Sequence, residues 1–189
     1  ITAEVCVHHL HFTANDYDRL GYLIKCNPAI KAAENKEALW QALNDDRLDV
    51  IATDHAPHLL SEKTPPYAHA HAGLPLVQHP VLLMLKYVQE GRITLQKMVE
   101  KMSHAVATIF DIDHRGFIRE GYHADLVLVD LQQETTVTKE NVWYKCGWSP
   151  LEGETLPAAI THTFVNGHLV YENGHFDESM LGMRLRFNR

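Results

Sequence analysis

The chain has 189 residues, 46% of them hydrophobic and 22% charged. That composition describes a globular protein with a real core and excludes a disordered chain, a collagen-like repeat and a disulfide miniprotein. Its 24 acidic and 17 basic residues leave a formal charge of -7, which argues against a nucleic-acid-binding surface.

Ile1 to Cys6 reads as a strand that runs into a histidine cluster, His8-His9-Leu10-His11. Lys25-Cys26-Asn27-Pro28 is a strand end or turn, because the residue before proline is pushed out of the helical region. Glu34 to Leu48 has helical spacing, with Asn35 as a candidate N-cap. The apolar, β-branched run from Leu48 to Thr53 directly follows and predicts a buried parallel strand. It ends in Asp54-His55-Ala56-Pro57-His58, and a Pro- and His-bearing loop extends from Leu59 to Pro75. Helices are predicted over Leu76–Gln89, stopped by Gly91, and over Thr94–Phe110, capped by Thr94. Ala124–Asp130 and Ala159–Val165 read as strands, and Asn166-Gly167 and Asn173-Gly174 as hairpin turns. The chain is therefore α/β first and antiparallel β later, with a division between residues 1–115 and 116–189.

Histidine is the compositional anomaly, with 14 copies against three cysteines. Cys6, Cys26 and Cys146 form no C-x-x-C pair, which argues against a disulfide framework or a thiolate zinc site. If the His8 cluster lies on a strand, His9 and His11 share a face and His8 points away. Such a pair serves either as metal ligands or in packing. Asp54 stands where a parallel α/β fold places catalytic carboxylates, and it either ligates a metal and shuttles a proton or caps the following turn. No stretch approaches the length of a membrane span, and no signal-peptide pattern opens the chain, which favours a cytoplasmic location.

Three blocks resemble the dihydroorotases, a cyclic-amidohydrolase branch of the amidohydrolase superfamily: Ala3 to Leu10, Lys25 to Lys31, and Ile51 to His58. Gly121 to Asp130 and Val165-Asn166-Gly167 resemble the superfamily's C-terminal segment. Two positions depart from the common pattern, Ala29 where a second proline is usual and Lys31 where arginine is usual. The resemblance implies the C-terminal part of a (β/α)8 TIM-barrel metal-dependent hydrolase, followed by a small β-sandwich. It implies a zinc enzyme of pyrimidine synthesis that interconverts N-carbamoyl-L-aspartate and dihydroorotate. It puts the proton-transferring, zinc-touching carboxylate on Asp54. The substrate-binding side chains fall on Asn27 and His58, and backbone contacts to the substrate on Ala72 and Gly73. It gives His8, His9 and His11 no role as metal ligands. The other zinc ligands have no counterpart here and are expected before Ile1, in an N-terminal barrel portion. With one carboxylate, this chain alone is expected to be inactive and to bind zinc weakly. A homo-oligomer or an aspartate transcarbamoylase complex is a candidate assembly. The alternatives are a non-catalytic scaffold module and an allantoinase- or hydantoinase-type enzyme.

Overall fold

A computed structural model describes residues 1–188. Strand β1 (Glu4–Cys6) pairs in parallel with β2 (Val50–Ala52), Cys6 lying opposite Ala52. The buried parallel strand expected after Leu48 is therefore present. Two strands cannot close on themselves, and no closed barrel forms among the described residues.

Between the two strands the chain passes through α1 (Val7–His11) and α2 (Ala33–Asn44). Helix α2 starts and stops earlier than its sequence pattern suggested. Its N-cap is Ala32, with no side-chain cap, rather than Asn35. It ends at Asn44 because Asp46 adopts a left-handed conformation (φ 61°). The Lys97 and Lys101 ammonium groups hold the Asp46 carboxylate there at 2.6 and 2.8 Å. Trp40 and Leu43 of α2 are buried, and the Trp40 indole N–H donates to the Leu10 carbonyl at 3.0 Å.

After β2 come a short helix α3 (Leu60–Lys63) and then α4 (Pro80–Gln89). Pro80 occupies the first turn of α4, where a missing N–H and fixed φ suit a helix start. That start leaves Val77 outside the helix and exposed. Thr94 caps α5 (Leu95–Val99) by accepting from the Lys97 N–H, as expected. A π-helical turn, Glu100–His104, carries the chain into α6 (Ala105–Ile109).

The later part is antiparallel. Strands β3 (Leu126–Asp130), β6 (Ala159–Val165), β7 (His168–Glu172) and β8 (His175–Phe176) form one sheet in the order β3-β6-β7-β8, and β4 (Thr135–Thr136) pairs with β5 (Thr155–Leu156). Both turns are of the expected kind: Asn166 and Gly167 have φ 54° and 83°, and Asn173 and Gly174 have 44° and 92°. Arg115 couples the sheet to the helical part through ion pairing with Asp125 and a 2.5 Å hydrogen bond to the Asn166 side-chain oxygen. One core runs through the molecule, from Val5, Leu10, Ile51 and Leu83 to Val137, Leu151 and Leu156. No helix among the described residues is long and apolar enough to cross a membrane.

Candidate active site

Asp54 lies two residues beyond β2, at the C-terminal end of the parallel pair. Its φ of 45° is left-handed, a conformation that only a few per cent of non-glycine residues adopt and that is concentrated in functional regions. The carboxylate is exposed and accepts no hydrogen bond among the described residues, so it does not cap the turn that follows. It faces two thiols electrostatically. Burial, then the charges of Glu4 and Asp54, push the Cys6 thiol up to about 12, and burial chiefly pushes Cys26 up to about 11. All three cysteines are free, in line with the absence of a disulfide framework.

The remaining predicted residues are gathered by one side chain that the sequence did not single out. Lys63, on α3, is completely buried. Its ammonium donates to the carbonyls of Lys25 (3.2 Å), His71 (2.8 Å) and Gly73 (2.9 Å), and lies 5.9 Å from the Trp148 ring. Burial lowers its pKa to about 8. It thereby ties the Asn27 segment to the far end of the 59–75 loop. Gly73 reinforces the junction by donating its N–H to the Lys25 carbonyl at 2.9 Å. At φ 139°, Gly73 sits where a Cβ would stand 2.7 Å from both the Cβ and the carbonyl oxygen of Ala56.

His58 is half-buried against this junction. Its Nε2 lies 3.2 Å from the Ala72 carbonyl, its Nδ1 3.8 Å from the Glu62 carboxylate, and its ring 4.8 Å from that of His71. The Trp148 indole N–H donates to the His58 carbonyl at 2.8 Å and so fixes the backbone beneath the ring. Asn27, before a cis Pro28, is exposed, and its amide makes no hydrogen bond among the described residues. In the Ala72-Gly73 pair the Gly73 N–H and carbonyl are both engaged, whereas the Ala72 N–H has no partner among the described residues. His55 acts structurally, its Nδ1 accepting from the Leu76 and Val77 N–H groups at 3.0 and 3.2 Å, ahead of α4.

The histidine cluster is not on a strand. β1 ends at Cys6, and Val7 and Leu10, three apart and both buried, form the inner face of α1. The expected pairing of His9 with His11 therefore fails, and the rings of His8 and His9 lie 4.2 Å apart instead. His11 is held structurally, with Tyr87 and Glu154 each 2.8 Å from its ring nitrogens. A cavity of about 650 Å³ lies elsewhere, between the approach to α4 and the antiparallel sheet, and is lined by Gln78, His79, Trp143, Tyr144, Tyr171 and Phe176. None of the predicted site residues lines it.

The profile of the amidohydrolase family matches residues 2–170. The chain belongs to the amidohydrolase family. Within it, the resemblance to dihydroorotases is borne out. The dihydroorotase of Pyrococcus furiosus is 38% identical over 185 residues, covering 98% of this chain and 43% of that protein. That of Methanosarcina mazei is 38% identical over 154 residues, covering 80% of this chain and 34% of that protein. The L-hydantoinase (dihydropyrimidinase) of Arthrobacter aurescens matches in structure with a TM-score of 0.85 at 28% identity, over 93% of this chain and 40% of that one. This amidohydrolase chain thus spans between about a third and just over two fifths of the length of these relatives.

Proposed function

We propose that this chain carries the proton-transfer and substrate-binding segment of a cyclic amidohydrolase acting on dihydroorotate and N-carbamoyl-L-aspartate. The observation that supports it most is the Asp54 carboxylate, without a hydrogen-bond partner among the described residues and held in a left-handed turn at a parallel strand end. Lys63 and Gly73 fasten the segment bearing Asn27 to the one bearing Ala72, and His58 joins the latter through the Ala72 carbonyl.

In this reading the Asp54 carboxylate takes a proton from the attacking water and gives it to the ring nitrogen as the amide C–N bond breaks. Asn27 offers a side-chain amide that has no partner among the described residues, and the half-buried His58 reaches the substrate carboxylate by turning its Nε2–H from the Ala72 carbonyl to the ligand. The Ala72 N–H is the backbone donor still open for a ring carbonyl. As a donor set, Asp54 fits a zinc centre as one oxygen ligand, since among the described residues it belongs to no group of three or more His, Cys, Asp or Glu donors. Bound zinc would supply Lewis-acid polarisation of the water and the scissile carbonyl. The further ligands belong to an N-terminal barrel portion, a second element of the proposal. A division at residues 1–115 and 116–189 is a third, the four-stranded sheet lying wholly in the later part.

A hydantoin-type ring is the second reading, supported by the structural likeness to L-hydantoinase. Loss of the ring-amide absorbance of dihydroorotate, followed with zinc supplied to the complete protein bearing this segment, tests the choice. Turnover of dihydroorotate supports the first reading. Inertness toward it with cleavage of hydantoin or allantoin overturns it.

A further inference from the structure

Three soft donors converge at the strand-to-helix corner ahead of α1. The Cys6 sulfur, one ring nitrogen of His8 and one of His9 all lie within 4.8 Å of one another. Cys6 ends β1 and N-caps α1, and the two histidines follow in its first turn, so a single local structure fixes all three. The sequence pattern, read as a strand, sends His8 away from His9; the helical turn brings them together.

Two further observations point to a ligand here. His8 is only 1% exposed, and its buried Nδ1 has no hydrogen-bond partner among the described residues. Buried ring nitrogens are nearly always satisfied, so an orphan on a ring that also contributes to this cluster marks a missing partner. His9, in turn, has its Nε2 2.8 Å from the Pro28 carbonyl. A carbonyl only accepts, so Nε2 carries the proton in neutral His9 and Nδ1 keeps its lone pair. A backbone carbonyl on the far nitrogen is how metal-bound imidazoles are commonly oriented.

We propose that Cys6, His8 and His9 bind one thiophilic divalent transition-metal ion, with a fourth coordination position left open. Binding releases the Cys6 thiol proton and forms a thiolate–metal bond, with no change of oxidation state. With metal–nitrogen and metal–sulfur distances of about 2.0 and 2.3 Å, tetrahedral ligands stand roughly 3.5 Å apart. The three donors therefore need to draw together by about an ångström, a side-chain adjustment. The site lies at the Asp54 end of the strand pair, because Cys6 is opposite Ala52. It shares no residue with the proposed zinc contact of Asp54, and it departs from the weak zinc binding expected of one carboxylate.

The test uses the chelator-treated chain titrated with cobalt(II) alone and read by absorbance, so no turnover is needed. The expected result is one equivalent bound with a thiolate-to-cobalt charge-transfer band that zinc abolishes on displacement. Cys6→Ser removes the band, and His9→Gln weakens binding at least about tenfold. Asp54→Asn, which removes a neighbouring charge but none of the three donors, keeps the charge-transfer band and the one-to-one stoichiometry. Because His8 is buried, His8→Gln is read only where circular dichroism shows a native fold, and there it too weakens binding about tenfold. A folded chain with no charge-transfer band overturns the proposal. So does a band that survives Cys6→Ser, or one lost in Asp54→Asn. Loss of dihydroorotate turnover in the complete Asp54→Asn protein bears on the catalytic reading alone.

Discussion

Lys63→Met removes the ammonium that joins three segments while keeping most of the apolar stem. The Gly73 carbonyl is buried and loses its donor outright, whereas those of Lys25 and His71 are better placed to recruit water. A fully orphaned buried carbonyl costs about 1–3 kcal/mol, and the two partial losses add less. Removing a buried charge also relieves a desolvation penalty, which offsets part of the loss. The net expectation is about 2 kcal/mol of destabilisation, concentrated in the 59–75 loop. Urea denaturation gives the global value. Amide exchange of Gly73, whose N–H is bonded to Lys25, gives the local one, and should quicken by about 30-fold or more. A variant within 0.5 kcal/mol of the parent, with unchanged Gly73 exchange, would refute the view that Lys63 assembles this region.

Gly73→Ala is expected to destabilise by about 1–3 kcal/mol in thermal melts, because its Cβ would meet Ala56 at 2.7 Å in a backbone conformation that alanine disfavours; an unchanged melting temperature contradicts this. His79 is 2% exposed, 3.3 Å from the Tyr144 hydroxyl, and burial lowers its pKa to about 4. Between pH 6.5 and about 4 the unfolded imidazole is protonated and the folded one is not, so stability falls with acidification across that window, by at most about 3 kcal/mol. Denaturation midpoints of His79→Gln against the parent should converge as pH falls from 6.5 to 4, and parallel curves would count against it. Arg115→Met should destabilise by about 2–3 kcal/mol, since it leaves the Asp125 carboxylate and the Asn166 oxygen without their cation. Exchange protection in β3 and β6 reports whether the loss falls on the sheet junction.

Much of the fold was legible wherever one local signal decided it. The Asn-Gly pairs dictate positive φ at both turn centres, and Thr94 has the side chain an N-cap needs. Ends were less legible where the deciding contact is distant. Asp46 stops α2 with lysines about fifty residues away, which no window along the chain reveals. The start of α4 was signalled by His79-Pro80, but the apolar Leu76 and Val77 masked it. At the site, the Asp54 block stood out through its position after an apolar run. Lys63 did not, because a lone lysine in a polar loop gives no hint of burial. The histidine cluster misled because five residues are too few to separate a period of two from one of 3.6. The buried i, i+3 pair Val7 and Leu10 was the usable cue.

Dihydroorotate turnover by the complete protein with Asp54→Asn decides whether Asp54 carries the proton in ring-amide hydrolysis. Asparagine tolerates the left-handed turn, and the carboxylate makes no hydrogen bond among the described residues, so stability should stay within about 0.5 kcal/mol. Turnover should fall by at least about a hundredfold, the scale of a lost general base. Turnover retained within a few-fold, in a variant shown to be folded, would contradict the claim.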